Sequence, residues 1–209
     1  MKKLFLKNIG KNIRNIYKQF MILFVMKVFA EKEAGNFLKK KGFNVIASVF
    51  VKTEKELDKL GLDFPVVMKV SSKKIVHKTK VNGVRLGIKN LFQAKKVFRE
   101  LIKIKNAEGV LIQKQVKGKE YLVGLKKTPE FGYVIAFGKG GSKVEKEKKV
   151  EFRVCNVKGV EELSKNKAIR KVLDKLCKLT NSGISELDIN PLMLDKRKAV
   201  IVDSQIVFL

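Results

Sequence analysis

From Phe29 onward the chain alternates short β-rich runs with amphipathic helical stretches. Ala34, Phe37, Leu38 and Lys41 recur at helical spacing, and Gly42 follows where a left-handed C-terminal residue is wanted. "VIASVFV" (Val45–Val51) reads as a strand. Thr53 and Glu56 have the spacing of a capping box and predict a short helix closed by Gly61. "FPVVMKV" is a second strand, with Pro65 at its start, where a missing N–H is tolerated. "GVRLGIK" alternates apolar and polar residues as a half-buried strand does. Asn90 predicts the cap of a helix carrying Phe92, Val97, Phe98, Leu101 and Ile102.

The second half begins "GVLIQKQVKGKEYLVGLKKTPEFGYVIAFGKGG". Its three strand-like runs, broken at Lys117–Gly118 and Thr128–Pro129, predict an antiparallel meander. A helix follows with Ile169, Val172, Leu173, Leu176 and Cys177 inward, then two strands around "ELDINPLML" and "AVIVDSQIVF". The expected architecture is α+β in two lobes, residues 29–111 and 112–209, with a hinge at Ile112–Val116. Residues 1–28 form a basic extension in which Ile9, Ile13, Ile16 and Phe20 fall at helical spacing before "FMILFVM". They read as an amphipathic helix meeting a membrane or partner, or as sequence upstream of a start at Met21 or Met26.

Composition narrows the choice. A chain of 209 residues, 45% hydrophobic, can bury a substantial core. The net charge of +27 invites a nucleic-acid reading. However, 41 of the 47 basic residues are lysine, spread over every segment, and the chain has no Trp and three Tyr. Arginine forks and stacking aromatics, the usual tools of base and phosphate recognition, are scarce, so no specific nucleic-acid partner is expected. Cys155 and Cys177 form neither a CxxC nor a disulfide framework, and with one histidine they exclude a structural zinc site; a reducing cytosol fits. No apolar run is long enough to predict a transmembrane helix.

Several features point to nucleotide phosphates. Lys69 stands in an apolar strand, where buried neighbours would hold its ammonium for a phosphate. "FGKGG", with Gly140 and Gly141, offers backbone N–H groups without Cβ obstruction. Period-two alternation places Glu186, Asp188 and Asn190 of "ELDINPL" on one face of a strand, and Asp203 is expected on the next strand. A carboxylate and an amide oxygen from paired strands make an oxygen-only site suited to Mg²⁺; a polar surface hairpin would show the same pattern.

Taken together, "FPVVMKV…HKTKVNGVRLGIKN", "GVLIQKQV.GKEYLVGLKKTPEFGYVIAFGKGG", Phe152–Arg153, "ELDINPL" and "VIVDS" resemble the ATP-grasp β subunit of ADP-forming acyl-CoA synthetases (acetate–CoA ligase, ADP-forming), relatives of succinyl-CoA synthetase. The resemblance covers about residues 29–209 in order. It implies an ATP-grasp fold with ATP or ADP between two lobes, Lys69 on the phosphates, and adenine held by the backbone of Gln113, Gln115 and Val116. It further implies Glu120 near the nucleotide, Asn190 and Asp203 on Mg²⁺, and a separate CoA-binding α subunit as partner in the cytoplasm. His77 matches the histidine that passes a phosphoryl group between the α subunit and ADP.

Imidazole suits that task. It is substantially neutral at pH 7, so a ring nitrogen attacks phosphorus without a separate base, and its phosphoramidate stays reactive enough to hand the group on. Lys73, Lys74, Lys78 and Lys80 would offset the incoming charge. The sequence departs from the family at Lys80, where an acidic residue is usual, at Asn82, in place of a glycine, and in the charged "KVEKEKKVEF" after Gly141. Two other functions stand beside this one: an ATP-grasp ligase forming acyl phosphates without His77, and a basic binding module on a decayed ATP-grasp scaffold.

Overall fold

The structure is a computed structural model and describes residues 27–72, 74–75, 78–141, 150–196 and 198–209. The chain folds around two antiparallel sheets. The smaller has the order β2-β5-β3-β4, from Ser48–Val51, Gly109–Lys114, Val66–Ser71 and Val84–Ile88. Helices α2 (Glu54–Leu57) and α3 (Leu91–Leu101) pack with it. Thr53 and Glu56 do form the capping box, although α2 stops at Leu57, short of Gly61. Asn90 accepts from the N–H of Gln93 at 2.9 Å, which starts α3. Ala94, Phe98 and Leu101 of α3 are buried at helical spacing. Phe92, expected on that face, is 81% exposed, because a residue two before Ala94 sits on the opposite side of the helix.

The larger sheet runs β1-β11-β9-β6-β7-β8, with β10 also paired to β9. These strands are Lys27–Phe29 (β1), Lys119–Thr128 (β6), Gly132–Lys139 (β7), Val150–Val154 (β8), Ile184–Asp195 (β9), Lys198–Ile201 (β10) and Ser204–Phe208 (β11). Helices α1 (Glu31–Lys40), α4 (Val157–Leu163) and α5 (Lys167–Cys177) complete this lobe. Ile169, Leu173 and Leu176 line the inner face of α5, and Gly42 closes α1 with φ +77°.

Three features depart from the sequence pattern. The expected meander is only the β6–β7 hairpin joined by β8, because β5 leaves it for the other sheet. Residues 109–113 of β5 are all buried, as suits a central strand between β2 and β3 rather than a half-exposed one. That strand runs through the expected lobe boundary at 111/112, and β1 and α1 join the C-terminal sheet instead of the N-terminal lobe. Phe29, Phe37 and Phe208 fix this attachment through edge-to-face contacts with centroids 4.9–6.4 Å apart. Cys155 and Cys177 are joined as a disulfide, Cα atoms 5.3 Å apart, tying the end of β8 to the end of α5. The expectation of unconnected thiols is thus corrected: a separation of 22 residues hides neighbours brought together by a helix returning along the sheet.

Gly109, at the start of β5, tests the closeness of this packing. A Cβ there would lie 2.7 Å from the carbonyl oxygen of Val51 and 2.5 Å from the Phe50 ring. Gly109→Ala should therefore cost about 1–3 kcal/mol in urea unfolding. Gly61→Ala, where a Cβ meets nothing within 4 Å, should be close to neutral.

Candidate functional site

"AVIVDSQIVF" forms two strands rather than one. β10 and β11 both lie along β9 and break at Val202–Asp203, opposite Asn190 and Pro191. The backbone stays bonded through the break: Val202 N–H donates to Pro191 O at 3.1 Å and Asn190 N–H to Asp203 O at 3.2 Å. Asp203 is therefore at an interruption, not within a strand, and the interruption turns the Val202 carbonyl and the Asp203 side chain toward the smaller lobe.

From that lobe comes Lys69, in β3 amid buried Val67, Met68 and Val70. Its ammonium lies 2.7 Å from Glu31 Oε1, 3.0 Å from Val202 O and 3.5 Å from Asp203 Oδ2, and the residue is only 4% exposed. Its three hydrogens thus face three acceptors of the larger lobe. Gln113, beside it on β5, donates its side-chain amide to Glu31 Oε1 at 2.8 Å and to Val202 O at 3.2 Å. Lys78, in a short 3-10 helix (Lys78–Val81), reaches Glu31 Oε2 at 2.8 Å and both Asp203 oxygens at 3.1 and 3.2 Å. Glu31 opens α1, where the helix dipole also favours its charge.

This knot of two ammoniums and two carboxylates joins the lobes. Burial alone would push Glu31 upward, but Lys69 and Lys78 together hold its carboxyl below the ordinary glutamate value. Asp203 moves the other way: burial, reinforced by the Glu31 charge, raises it despite the two lysines. Lys78 is raised, the Asp203 and Glu31 carboxylates overcoming the burial that would lower it. Glu31 is therefore the carboxylate whose charge the lysines favour more than burial opposes it, and Asp203 the one whose charge burial disfavours.

A cleft of about 320 Å³ opens on this knot, lined by Glu31, Ser72, Lys78, Asp188, Asn190 and Asp203 among others. Asp188 and Asn190 sit on the β9 face opposite buried Leu187 and Ile189, as the alternation predicts. Glu186 shares that face but lies near Lys126 at the surface, 3.6 Å away. Asn190 and Asp203 bring an amide and a carboxylate, oxygen donors of the kind Mg²⁺ takes, to the cleft wall. Among the described residues no group of three or more His, Cys, Asp or Glu is placed to hold a metal.

The remaining expected residues fall elsewhere around the hinge. Gln113 is 3% exposed and lies between β2 and β3. Gln115 N–H donates to Pro65 O, and its side-chain oxygen accepts from Gly87 N–H at 2.7 Å; Val116 follows, half-buried. Glu120, Gly140 and Gly141 meet at the paired ends of β6 and β7. Gly140 N–H donates to Glu120 O at 2.8 Å, and a Cβ on Gly141 would come within 2.8 Å of Glu120 Oε2. Asn82 has φ +49°, the left-handed backbone its place in the glycine pattern required. His77, residues 1–26 and most of the charged stretch after Gly141 lie outside the described residues. The pattern gave no hint of Glu31, since an acidic residue in a first helical turn ordinarily does no more than complement the dipole.

A model of the ATP-grasp domain matches residues 26–175. The chain is 38% identical over 200 residues to the ADP-forming acetate–CoA ligase II of Archaeoglobus fulgidus, covering 85% of this chain and 30% of that longer protein. It is 31% identical over 211 residues to the β subunit of ADP-forming acetate–CoA ligase I of Pyrococcus furiosus, covering 85% of this chain and 90% of that subunit. The chain belongs to the ATP-grasp family of ADP-forming acetate–CoA ligases. Its two-lobed α+β architecture is the ATP-grasp fold. The dinucleotide-forming acetyl-CoA synthetase 1 of Ca. Korarchaeum cryptofilum, in complex with coenzyme A and Ca-AMPCP, matches with TM-score 0.79 and 29% identity over 88% of this chain and 94% of that one. In a further structure of that synthetase, with coenzyme A and Mg-AMPPCP, the phosphohistidine segment points towards the nucleotide-binding site (TM-score 0.70, 28% identity, 88% and 93% covered).

Proposed function

We propose that this chain is the nucleotide-binding β subunit of an ADP-forming acyl-CoA synthetase. It transfers a phosphoryl group reversibly between a phosphohistidine and ADP, so that ATP is made from the thioester energy of an acyl-CoA. The observation that carries the reading is the inter-lobe cleft, where Lys78, Asn190 and Asp203 converge in front of Lys69, in a chain spanning 90% of a named β subunit.

Asn190 and Asp203 would hold Mg²⁺, and Lys78 would meet the phosphates as a point charge, with Lys69 behind it adding its charge through Glu31 and Asp203 rather than by contact. Bound Mg–nucleotide supplies the phosphoryl acceptor and shields its charge. The Gln113 backbone is paired between β2 and β3 and the Gln115 N–H with Pro65 O, which leaves the Gln115 carbonyl and Val116, beyond the end of β5, to present backbone to adenine. Gly140 and Gly141 would cover the phosphates with N–H groups, beside Glu120. His77, next in sequence to Lys78, would take the phosphoryl group on a ring nitrogen and return it. Acyl and CoA chemistry falls to a CoA-binding partner subunit; ADP and CoA as substrates favour the cytoplasm, where the Cys155–Cys177 disulfide would be unusual.

The test has two parts. With the CoA-binding partner, ADP, phosphate and Mg²⁺, the chain should form ATP from acetyl-CoA or another acyl-CoA, and ATP formation that needs no His77 would favour a ligase acting through acyl phosphate alone. By calorimetry, Asp203→Ala should lose most of the Mg²⁺-dependent part of ADP binding. An unchanged Mg²⁺ dependence would remove Asp203 from the metal site.

A further inference from the structure

We infer that Lys78 is a built-in counter-cation, held on Asp203 and Glu31 and balancing the Asp203 carboxylate until a metal ion displaces it. The inference rests on the proposed role of Asp203 as a Mg²⁺ ligand. It concerns what holds that carboxylate before any metal arrives.

Charge balance is the first ground. Glu31 and Asp203 contribute two negative charges to the lobe junction, and Lys69 and Lys78 two positive ones, all with side chains 23% exposed or less. Buried charges are tolerated only when paired, so the knot is neutral as it stands. A divalent ion added to it would leave two positive charges uncompensated, and one ammonium must withdraw.

Geometry identifies which one. Lys69 is rooted in a central strand, 4% exposed, with three acceptors around its nitrogen. It also does not line the cleft. Lys78 lines the cleft, comes from a four-residue 3-10 helix with no buried residue, and touches both Asp203 oxygens and Glu31 Oε2. An ammonium straddling two carboxylates from the open side mimics a bound cation. Its withdrawal breaks no strand pairing and leads into the cleft, where incoming phosphates offer it new partners.

The competition is measurable with Mn²⁺ alone, by electron paramagnetic resonance of free Mn²⁺, without nucleotide or turnover. Wild type should bind weakly. Lys78→Met should bind about tenfold more tightly or better, Lys78→Arg should stay near wild type, and Lys78→Met/Asp203→Asn should lose the gain. Acetylation of Lys78 in the wild-type protein, followed by mass spectrometry, should rise at saturating Mn²⁺, while Lys95, paired with Asp58 in the smaller lobe, should not change. If Lys78→Met leaves Mn²⁺ affinity unaltered while Asp203→Asn still weakens it, the inference falls and the metal reading stands. If Asp203→Asn changes nothing in either background, the metal reading itself fails and takes this inference with it. Lys78 acetylation that stays flat at saturating Mn²⁺ overturns the inference without recourse to any variant.

Discussion

Replacing Glu31 by alanine should lower the free energy of unfolding by about 3–5 kcal/mol, the cost of leaving a buried charge without its partner. Lys69 would lose its 2.7 Å contact, Lys78 one of its two carboxylates, and Gln113 the acceptor of its amide. Because the knot bridges the two sheets, the loss should also loosen one lobe against the other. Urea unfolding would show a lower midpoint, and limited proteolysis would show faster cutting in the connection between β5 and β6, residues 115–118. Glu31→Ala combined with Lys69→Met removes both charges of the closest pair and should be milder than Glu31→Ala alone, since no buried ammonium is then orphaned. A single variant as stable as wild type would mean that water or rearranged neighbours already satisfy Lys69, and the knot would lose its structural role. The pH dependence has the same origin. Glu31 titrates below its ordinary value when folded, so its stabilisation is present above the unfolded carboxyl value and is lost as pH falls through the lowered one.

Local chemistry was legible in the sequence wherever neighbours along the chain decide it. The Thr53–Glu56 box, the Asn90 cap, the left-handed Gly42 and Asn82, and the alternation of "ELDIN" all depend on residues within a few positions of one another. What the pattern missed is decided across the fold. Period-two reading cannot tell which sheet a strand joins, so it puts β5 with the run that follows it and not with the partners that bury it. The break at Val202–Asp203 is marked only by Asp203, a residue depleted in strands, and one such residue does not outweigh the apolar run on either side of it. Glu31 and Lys69 lie 38 residues apart and Lys78 and Asp203 lie 125 apart, so only the closed structure makes them a unit. The disulfide is hidden for the same reason. The residues of the site were thus recognisable one by one from a shared motif order, while the ion knot that arms them was not.

The largest expected effect on activity lies at His77. Its replacement by alanine should abolish overall turnover with the CoA-binding partner, because without the imidazole nothing on this chain carries the phosphoryl group between subunits. Nucleotide affinity should change by less than about tenfold, roughly 1.4 kcal/mol, since the proposed ground-state contacts belong to Lys78 and the Asn190–Asp203 pair. With γ-labelled ATP and Mg²⁺, the wild-type chain should acquire an acid-labile, base-stable label, the signature of a phosphoramidate rather than a serine or threonine ester. His77→Ala should acquire none. Asp203→Ala should behave in the opposite sense, losing Mg²⁺-dependent nucleotide binding first and labelling in consequence. Comparing the two variants separates the relay from the holder: label that persists on His77→Ala would sink the relay assignment, and a collapse of nucleotide affinity in that variant would make His77 a binding residue instead.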